Sequence, residues 1–381
     1  MDLAPDLRSS FLLDPGITYL NHGSFGACPR PVFDVYQAWQ RRLEREPVQF
    51  LGMQAAEHLG TSRRALAEYV GCPADNLVYF PNPTTAVNMV ARSLDLNPGD
   101  EILTTDHEYG AMDRTWRFTC QRTGAKLVRQ SIPLPLDSPV EFVEHMWSGV
   151  TARTRVVFLS HITSQTALTF SVADICALAR EAGILAIVDG AHAPGQVPLD
   201  LDALGADIYT GACHKWLCAP KGSAFLYARP QVQPMLHPLV VSWGWESDKP
   251  STSTFIDHHE WQGTRDLAAF LSVPAAITFQ REHNWPAVWE DCHHLAVQWR
   301  ARLNQVLEQD PICEEGTFHQ MFTVRFPVPD PENFQRRLYD DWHIEVPIFR
   351  WKDATWMRVS VQAYNGPDDF EALLDALEAL L

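Results

Sequence analysis

Lysine is scarce in this chain: of 30 basic residues only five are lysines, Lys126, Lys215, Lys221, Lys249 and Lys352. Any lysine chemistry therefore has few places to sit. Basic charge as a whole is in deficit, with 30 Lys+Arg against 47 Asp+Glu and a net charge of -17. That sign excludes an electrostatic footprint for nucleic acid or for an anionic membrane surface. No apolar run approaches the ~18 residues that a membrane-spanning helix needs. The first residues carry Asp2 and Asp6 before any basic side chain, and no apolar stretch follows, so no secretory signal is expected. Eight cysteines are scattered without CxxC spacing, which argues against a zinc ribbon and against a disulfide framework. The expectation is a reduced, cytoplasmic protein with a small-molecule partner.

What is present is an ordinary globular composition, 46% hydrophobic and 20% charged, over 381 residues. At roughly 150 residues per domain, that length accommodates two or three domains. From Leu77 to Tyr227 short apolar runs alternate with helical patterns, the rhythm of a doubly wound α/β core with a mostly parallel sheet. The strands are expected at Leu77 to Phe80, Glu101 to Thr104, Lys126 to Arg129, Val156 to Ser160, Leu185 to Val188, Ile208 to Thr210 and Ala224 to Tyr227. Helices are expected at Thr84 to Leu94, Met112 to Thr123 and Val172 to Ala182. A Pro- and Trp-rich stretch, Arg229 to Gly263, is irregular and too long for a simple connection. Helices from Asp266 to Arg281 and from Pro286 to Leu307, strands at Gln320 to Phe326 and Trp356 to Ser360, and a final amphipathic helix then form a smaller α+β layer. The expected division is an N-terminal segment, 1–45, packing with the small domain; a large domain, 46–265; and a small domain, 266–381.

Two strand ends carry the strongest chemical signal: Val188-Asp189-Gly190-Ala191-His192 and Gly211-Ala212-Cys213-His214-Lys215-Trp216. In open α/β sheets the ligand crevice lies beyond the carboxyl ends of the strands, so both segments should face it. An acid and a lysine in one crevice suit pyridoxal 5'-phosphate, whose aldehyde joins a lysine and whose ring nitrogen needs a carboxylate partner. The competing reading is Asp189 as a turn cap and Lys215 as a solvated surface residue. Paired histidines, His258-His259 and His293-His294, lack a converging set of further ligands, so no metal is expected. Gly60-Thr61-Ser62 lacks the lysine of a phosphate loop.

The string DGAHAPGQVPLDLDALGADIYTGACHKWLCAPKGSAFLY resembles the cofactor-binding core of class V aminotransferase-fold enzymes, in particular the isopenicillin N epimerase-like branch. The resemblance extends through YLNHGSFG, NPTTAVNMV, DHEYGAMDRTW, SHITSQTAL and RVSVQAYN, in order along most of the chain. It implies the fold type I architecture of aspartate aminotransferase-like enzymes and pyridoxal 5'-phosphate as cofactor. It further implies Lys215 as the Schiff-base lysine, Asp189 at the pyridine nitrogen, His192 over the phenolic oxygen and His214 at the phosphate. Thr84 and Thr85 would hold the phosphate at a helix N-terminus, where the dipole favours an anion, although Pro83 stands where the family often has glycine. His107 matches the stacking position, with Tyr109 left as stacking alternative or acid. Ser164 or Gln165 would reach the phenolic oxygen. Arg358 would hold the substrate α-carboxylate, for which a guanidinium fork is suited, and Asn21 and His22 would contact substrate. Gly263-Thr264 resembles the motif by which the partner subunit of a homodimer reaches the phosphate.

The family's common chemistry starts with removal of the α-proton by the freed lysine and diverges into epimerisation, β-elimination or transamination. The loop Glu345 to Lys352, before the Arg358 strand, has no cysteine, which disfavours desulfuration. The expectation is an epimerase acting on an amino-acid substrate, with a carbon–sulfur lyase as alternative, then an aminotransferase or a regulator that binds the cofactor without turnover. His22 and Tyr109 are the candidates for a second acid opposite Lys215.

Overall fold

The computed structural model describes residues 7–136 and 138–381; Asp2, Asp6 and the rest of 1–6 lie outside the described residues. The strands are β1 (Thr18–Tyr19), β2 (Leu77–Phe80), β3 (Glu101–Thr105), β4 (Lys126–Gln130), β5 (Thr154–Ser160), β6 (Leu185–Gly190), β7 (Ile208–Ala212), β8 (Ala224–Ala228), β9 (Met321–Arg325), β10 (Ile344–Glu345), β11 (Ile348–Trp351) and β12 (Ala354–Ser360). Seven of them build the central sheet in the order β2-β8-β7-β6-β5-β3-β4. All pairings are parallel except those of β8, which runs antiparallel to both β2 and β7. The central strands are apolar on successive residues because helices cover both faces of the sheet, leaving no solvated side to alternate toward. The fold is thus the mostly parallel α/β architecture expected of fold type I enzymes.

Local chemistry sets where the helices begin and end. Helix Pro83–Ser93 starts at Asn82, whose side chain accepts a hydrogen bond from Thr85 N at 2.8 Å. Pro83 occupies the first turn, where its missing N–H would have had no intrahelical partner anyway. Helix Gly110–Thr123 ends at Gly124, whose φ of 79° lets its N–H reach Cys120 O. The single helix expected from Asp266 to Arg281 is divided into Ala268–Leu271 and Val273–Glu282. Pro274 accounts for the division, since it cannot donate within a continuous helix but is favoured at the start of a new one.

The smaller layer holds the antiparallel sheet β11-β12-β9 and helices Trp285–Val306, Pro331–Trp342 and Pro367–Leu380. Part of what read as a loop, Glu345 to Lys352, is strand: β11 pairs with β12 alone and so forms an edge, which tolerates Pro347 just before it. The N-terminal segment joins this layer through β1, which pairs in parallel with β10. Helix Val273–Glu282 also packs on helix Ala55–Val70, where Tyr69 donates to Gln280 Oε1 at 2.8 Å, so residues beyond 266 bridge to the large-sheet side. Among the described residues, no helix is long and apolar enough to cross a membrane.

Candidate active site

The carboxyl ends of β5, β6 and β7 open together, and a cavity of about 180 Å³ lies beyond them. Asp189 sits near the end of β6, paired with Ser160 of β5 on one side and Thr210 of β7 on the other. Its carboxylate is buried and accepts a hydrogen bond from Ala191 N at 3.0 Å. Burial pushes its pKa above the ordinary value, while the Ala191 N–H and the Lys215 charge pull it back. Among the described residues, four larger cavities, of about 370 to 570 Å³, are lined by no lysine.

Lys215 enters the cavity from the loop after β7, with Nζ 3.1 Å from His192 Nε2. Trp216 Nε1, which can only donate, lies 3.2 Å from His192 Nδ1. Neutral His192 must then carry its proton on Nε2, which the lone pair of Lys215 can accept when the amine is uncharged. Burial favours both neutral forms: it pulls His192 well below the ordinary value, and with the Arg358 charge it brings Lys215 down to about 8. The indole thus fixes a tautomer that fixes the amine.

Arg358, on β12, is 5% exposed. Its Nη1 donates to Ser164 O at 2.5 Å and Ser164 Oγ at 3.2 Å, and Nη2 donates to Ser24 Oγ at 2.9 Å. Nε is buried without a partner, and no carboxylate among the described residues forms an ion pair with the guanidinium. Burial brings its pKa down to about 10, with Tyr109 and Tyr19 opposing the shift. Ser24 and Ser164 themselves line the cavity.

Among the expected site residues, Lys215, Asp189, Tyr109, Thr84, Ser164, His192 and His214 line this one cavity. His214 donates from Nδ1 to Ser223 O at 2.9 Å, which leaves Nε2 for a ligand. Others stand elsewhere. His107 is fully buried, its ring nitrogens taken by Thr166 Oγ1 at 2.9 Å and Ile132 O at 3.0 Å and its ring edge-on to Trp351, so it braces the β11–β12 hairpin instead of stacking in the cavity. His22 is fully buried between Tyr364 OH at 2.9 Å and Lys215 O at 3.0 Å, and burial holds its pKa down to about 3, so it supports the lysine loop from behind. Asn21 is also buried, bonded to Ser24 and Glu345. Thr85 spends its hydroxyl on Asn82 Oδ1 at 3.0 Å. Gln165 turns its amide to Glu108 O, leaving Ser164 as the cavity residue of that pair. Thr264 is exposed and outside the cavity of its own chain.

Three residues at the site carried no individual signal in the sequence. Ser24 and Ser160 are small polar residues inside recognised motifs, and Glu108 reads as a loop charge between His107 and Tyr109. In the folded chain Glu108 is buried, accepting from Thr105 Oγ1 at 2.6 Å and lying 2.6 Å from Ser160 Oγ.

The sequence profile of the class V aminotransferases matches residues 27–373. The chain belongs to the class V aminotransferase family. Pyridoxal 5'-phosphate is therefore its cofactor. The donor set here fits that group: Asp189 is a buried carboxylate lining the cavity, and Lys215 is a half-buried amine at the same cavity whose pKa is brought down to about 8. Among relatives, isopenicillin N epimerase of Amycolatopsis lactamdurans is 37% identical, over 98% of this chain and 97% of that protein. An Arabidopsis thaliana protein named probable L-cysteine desulfhydrase, chloroplastic, is 26% identical over 97% of this chain and 84% of its own length. The solved apo structure of a cysteine desulfurase from Thermococcus onnurineus superposes with a TM-score of 0.85 at 19% identity, over 100% of this chain and 98% of that one, a likeness of fold.

Proposed function

We propose that this family member is an isopenicillin N epimerase-like enzyme that inverts the α-carbon of an amino-acid-containing substrate. The observation carrying this reading is the 37% identity to an isopenicillin N epimerase over nearly the whole of both chains. Lys215, Asp189, Thr84, Ser164, His192 and His214 would hold pyridoxal 5'-phosphate. When bound, the cofactor supplies an electron sink for the substrate α-carbon. Asp189 provides the negative charge beside the ring nitrogen. Lys215, brought down to about 8, is poised to take a proton near neutral pH. Of the two stacking candidates Tyr109 lines the cavity and His107 does not, so Tyr109 would cover the cofactor ring and would supply the hydroxyl that returns a proton. Arg358, behind Ser24 and Ser164, receives the substrate carboxylate.

A second reading, a carbon–sulfur β-lyase, is favoured by the relatives named cysteine desulfhydrase at 25–29% identity. The same residues serve it, with Tyr109 protonating the departing sulfur. Desulfuration is not proposed, since no cysteine lines the cavity among the described residues. Incubation in deuterated water separates the two. An epimerase exchanges the α-proton of its substrate and returns both stereoisomers without pyruvate or ammonia. Pyruvate and ammonia formed from cysteine conjugates, at far higher kcat/KM than any α-exchange, would replace the first reading with the second.

A further inference from the structure

Arg358 is a buried cation whose charge is not met by a neighbouring carboxylate. A hydrogen-bonded chain links it to a carboxylate through two intermediaries. Arg358 Nη2 donates to Ser24 Oγ at 2.9 Å, Ser24 Oγ donates to Asn21 Oδ1 at 2.5 Å, and Asn21 Nδ2 donates to Glu345 Oε1 at 3.2 Å. Every proton in this chain points the same way, from the guanidinium toward the Glu345 carboxylate, so each bond polarises the next. A serine hydroxyl has one proton. With that proton committed to Asn21, Ser24 offers only lone pairs to the cavity and to Arg358.

The position of Ser24 is fixed by the turn that carries it. Ser24 N donates to Asn21 O at 3.2 Å and Gly26 N donates to His22 O at 2.7 Å, closing one tight helical turn. Gly26 has a φ of 70°, and a Cβ there would collide with the carbonyl of His214. The turn thus lies directly against the backbone of the lysine loop, which His22 also grips through Lys215 O. The place where Arg358 is held is in this way referenced to the place where Lys215 emerges.

We propose that Ser24 is the positioning residue of the substrate-carboxylate subsite, holding the Arg358 plane through the Asn21–Glu345 relay and turning a carboxylate away from its own lone pairs onto the guanidinium. A direct acid partner would neutralise Arg358 and occupy the subsite. The relay ties the cation, which lies just behind the cavity-lining Ser24 and Ser164, to a carboxylate without placing an acid against it. This rests on the reading of Arg358 as the carboxylate anchor and is independent of which reaction follows.

The test is titration of the holoenzyme with L-methionine and with 3-(methylthio)propylamine, which differ only in the carboxylate, followed by the cofactor absorbance change. Ser24→Ala weakens L-methionine about 10-fold or more, as expected for losing a hydrogen bond to a charged group, and leaves the amine unchanged. Ser24→Thr, which keeps the hydroxyl, stays within about 3-fold of the unaltered enzyme. In turnover with the reactive substrate the same loss falls on KM, not kcat. Equal weakening of acid and amine, or an unchanged affinity for L-methionine, overturns the proposal. Failure of the epimerase reading appears separately, in the products, with the Ser24→Ala split still present.

Discussion

Replacing Glu108 by Gln removes a titrating group while keeping its shape, and the structure sets the size and sign of the effect. Glu108 is 7% exposed, with Oε1 accepting from Thr105 Oγ1 and Ser160 N and Oε2 beside Ser160 Oγ. Burial pushes its carboxyl from the ordinary 4.5 up to about 7; the Ser160 and Thr105 hydrogen bonds oppose the rise and the Asp189 charge adds to it. Between these two values the folded chain keeps a proton that the unfolded chain has released. Stability from this group is therefore complete below 4.5 and lost as pH rises to about 7. At about 1.36 kcal/mol per pKa unit the loss is roughly 3 kcal/mol. Glutamine cannot titrate, so the variant escapes it. Urea unfolding of the apoprotein at pH 5, 6, 7 and 8 should show Glu108→Gln gaining on the unaltered protein by roughly 3 kcal/mol across that span. The titration of Asp189 is common to both proteins and largely cancels in the difference. A difference that stays constant with pH, within about 0.5 kcal/mol, would show that Glu108 is ionised throughout and refute the reasoning.

Asp189→Asn should keep bound cofactor, visible in the absorbance spectrum, yet lose on the order of 100-fold in kcat because an amide cannot supply the charge the ring nitrogen needs; near-normal turnover would make the carboxylate structural. We further propose a homodimer in which Thr264 reaches the partner's phosphate site. Sedimentation at assay concentration should give a dimer, and Thr264→Ala should weaken cofactor binding about 5-fold or more. A fully active monomer would contradict both statements.

The central strands were legible because both faces of the sheet are covered, which leaves unbroken apolar runs such as Val78 to Phe80 and Ile187 to Val188 with turn residues after them. The strand ends also placed Asp189, near the end of β6, and Lys215, in the loop after β7, at one crevice, while their roles came from the family resemblance. The side chains within recognised motifs were not, because a tight turn sends neighbouring residues in opposite directions. His107 goes under the hairpin to Trp351 while Tyr109, two residues on, caps the next helix at the cavity. His22 points to Tyr364 and Ser24 to Arg358 for the same reason. Glu108 was hidden because burial of an acid depends on partners, Thr105 and Ser160, that only tertiary contact supplies. The β11 strand was hidden because an edge position makes few demands on its residues.

The antiparallel β8 has a consequence for how the chain is made. It alone joins β2 to the rest of the sheet, since β2 pairs with no other strand. During synthesis β2 leaves the ribosome early and its partner Ala224–Ala228 much later, so at roughly 5–20 residues per second β2 waits on the order of ten seconds with its hydrogen-bonding edges unsatisfied. Leu77, Val78, Tyr79 and Phe80 form an apolar run with no charge, the kind of segment that self-associates when exposed. Newly made protein stalled or truncated before Ala224 should thus be far more prone to aggregation, and to chaperone capture, than chains that extend a short way past Ala228.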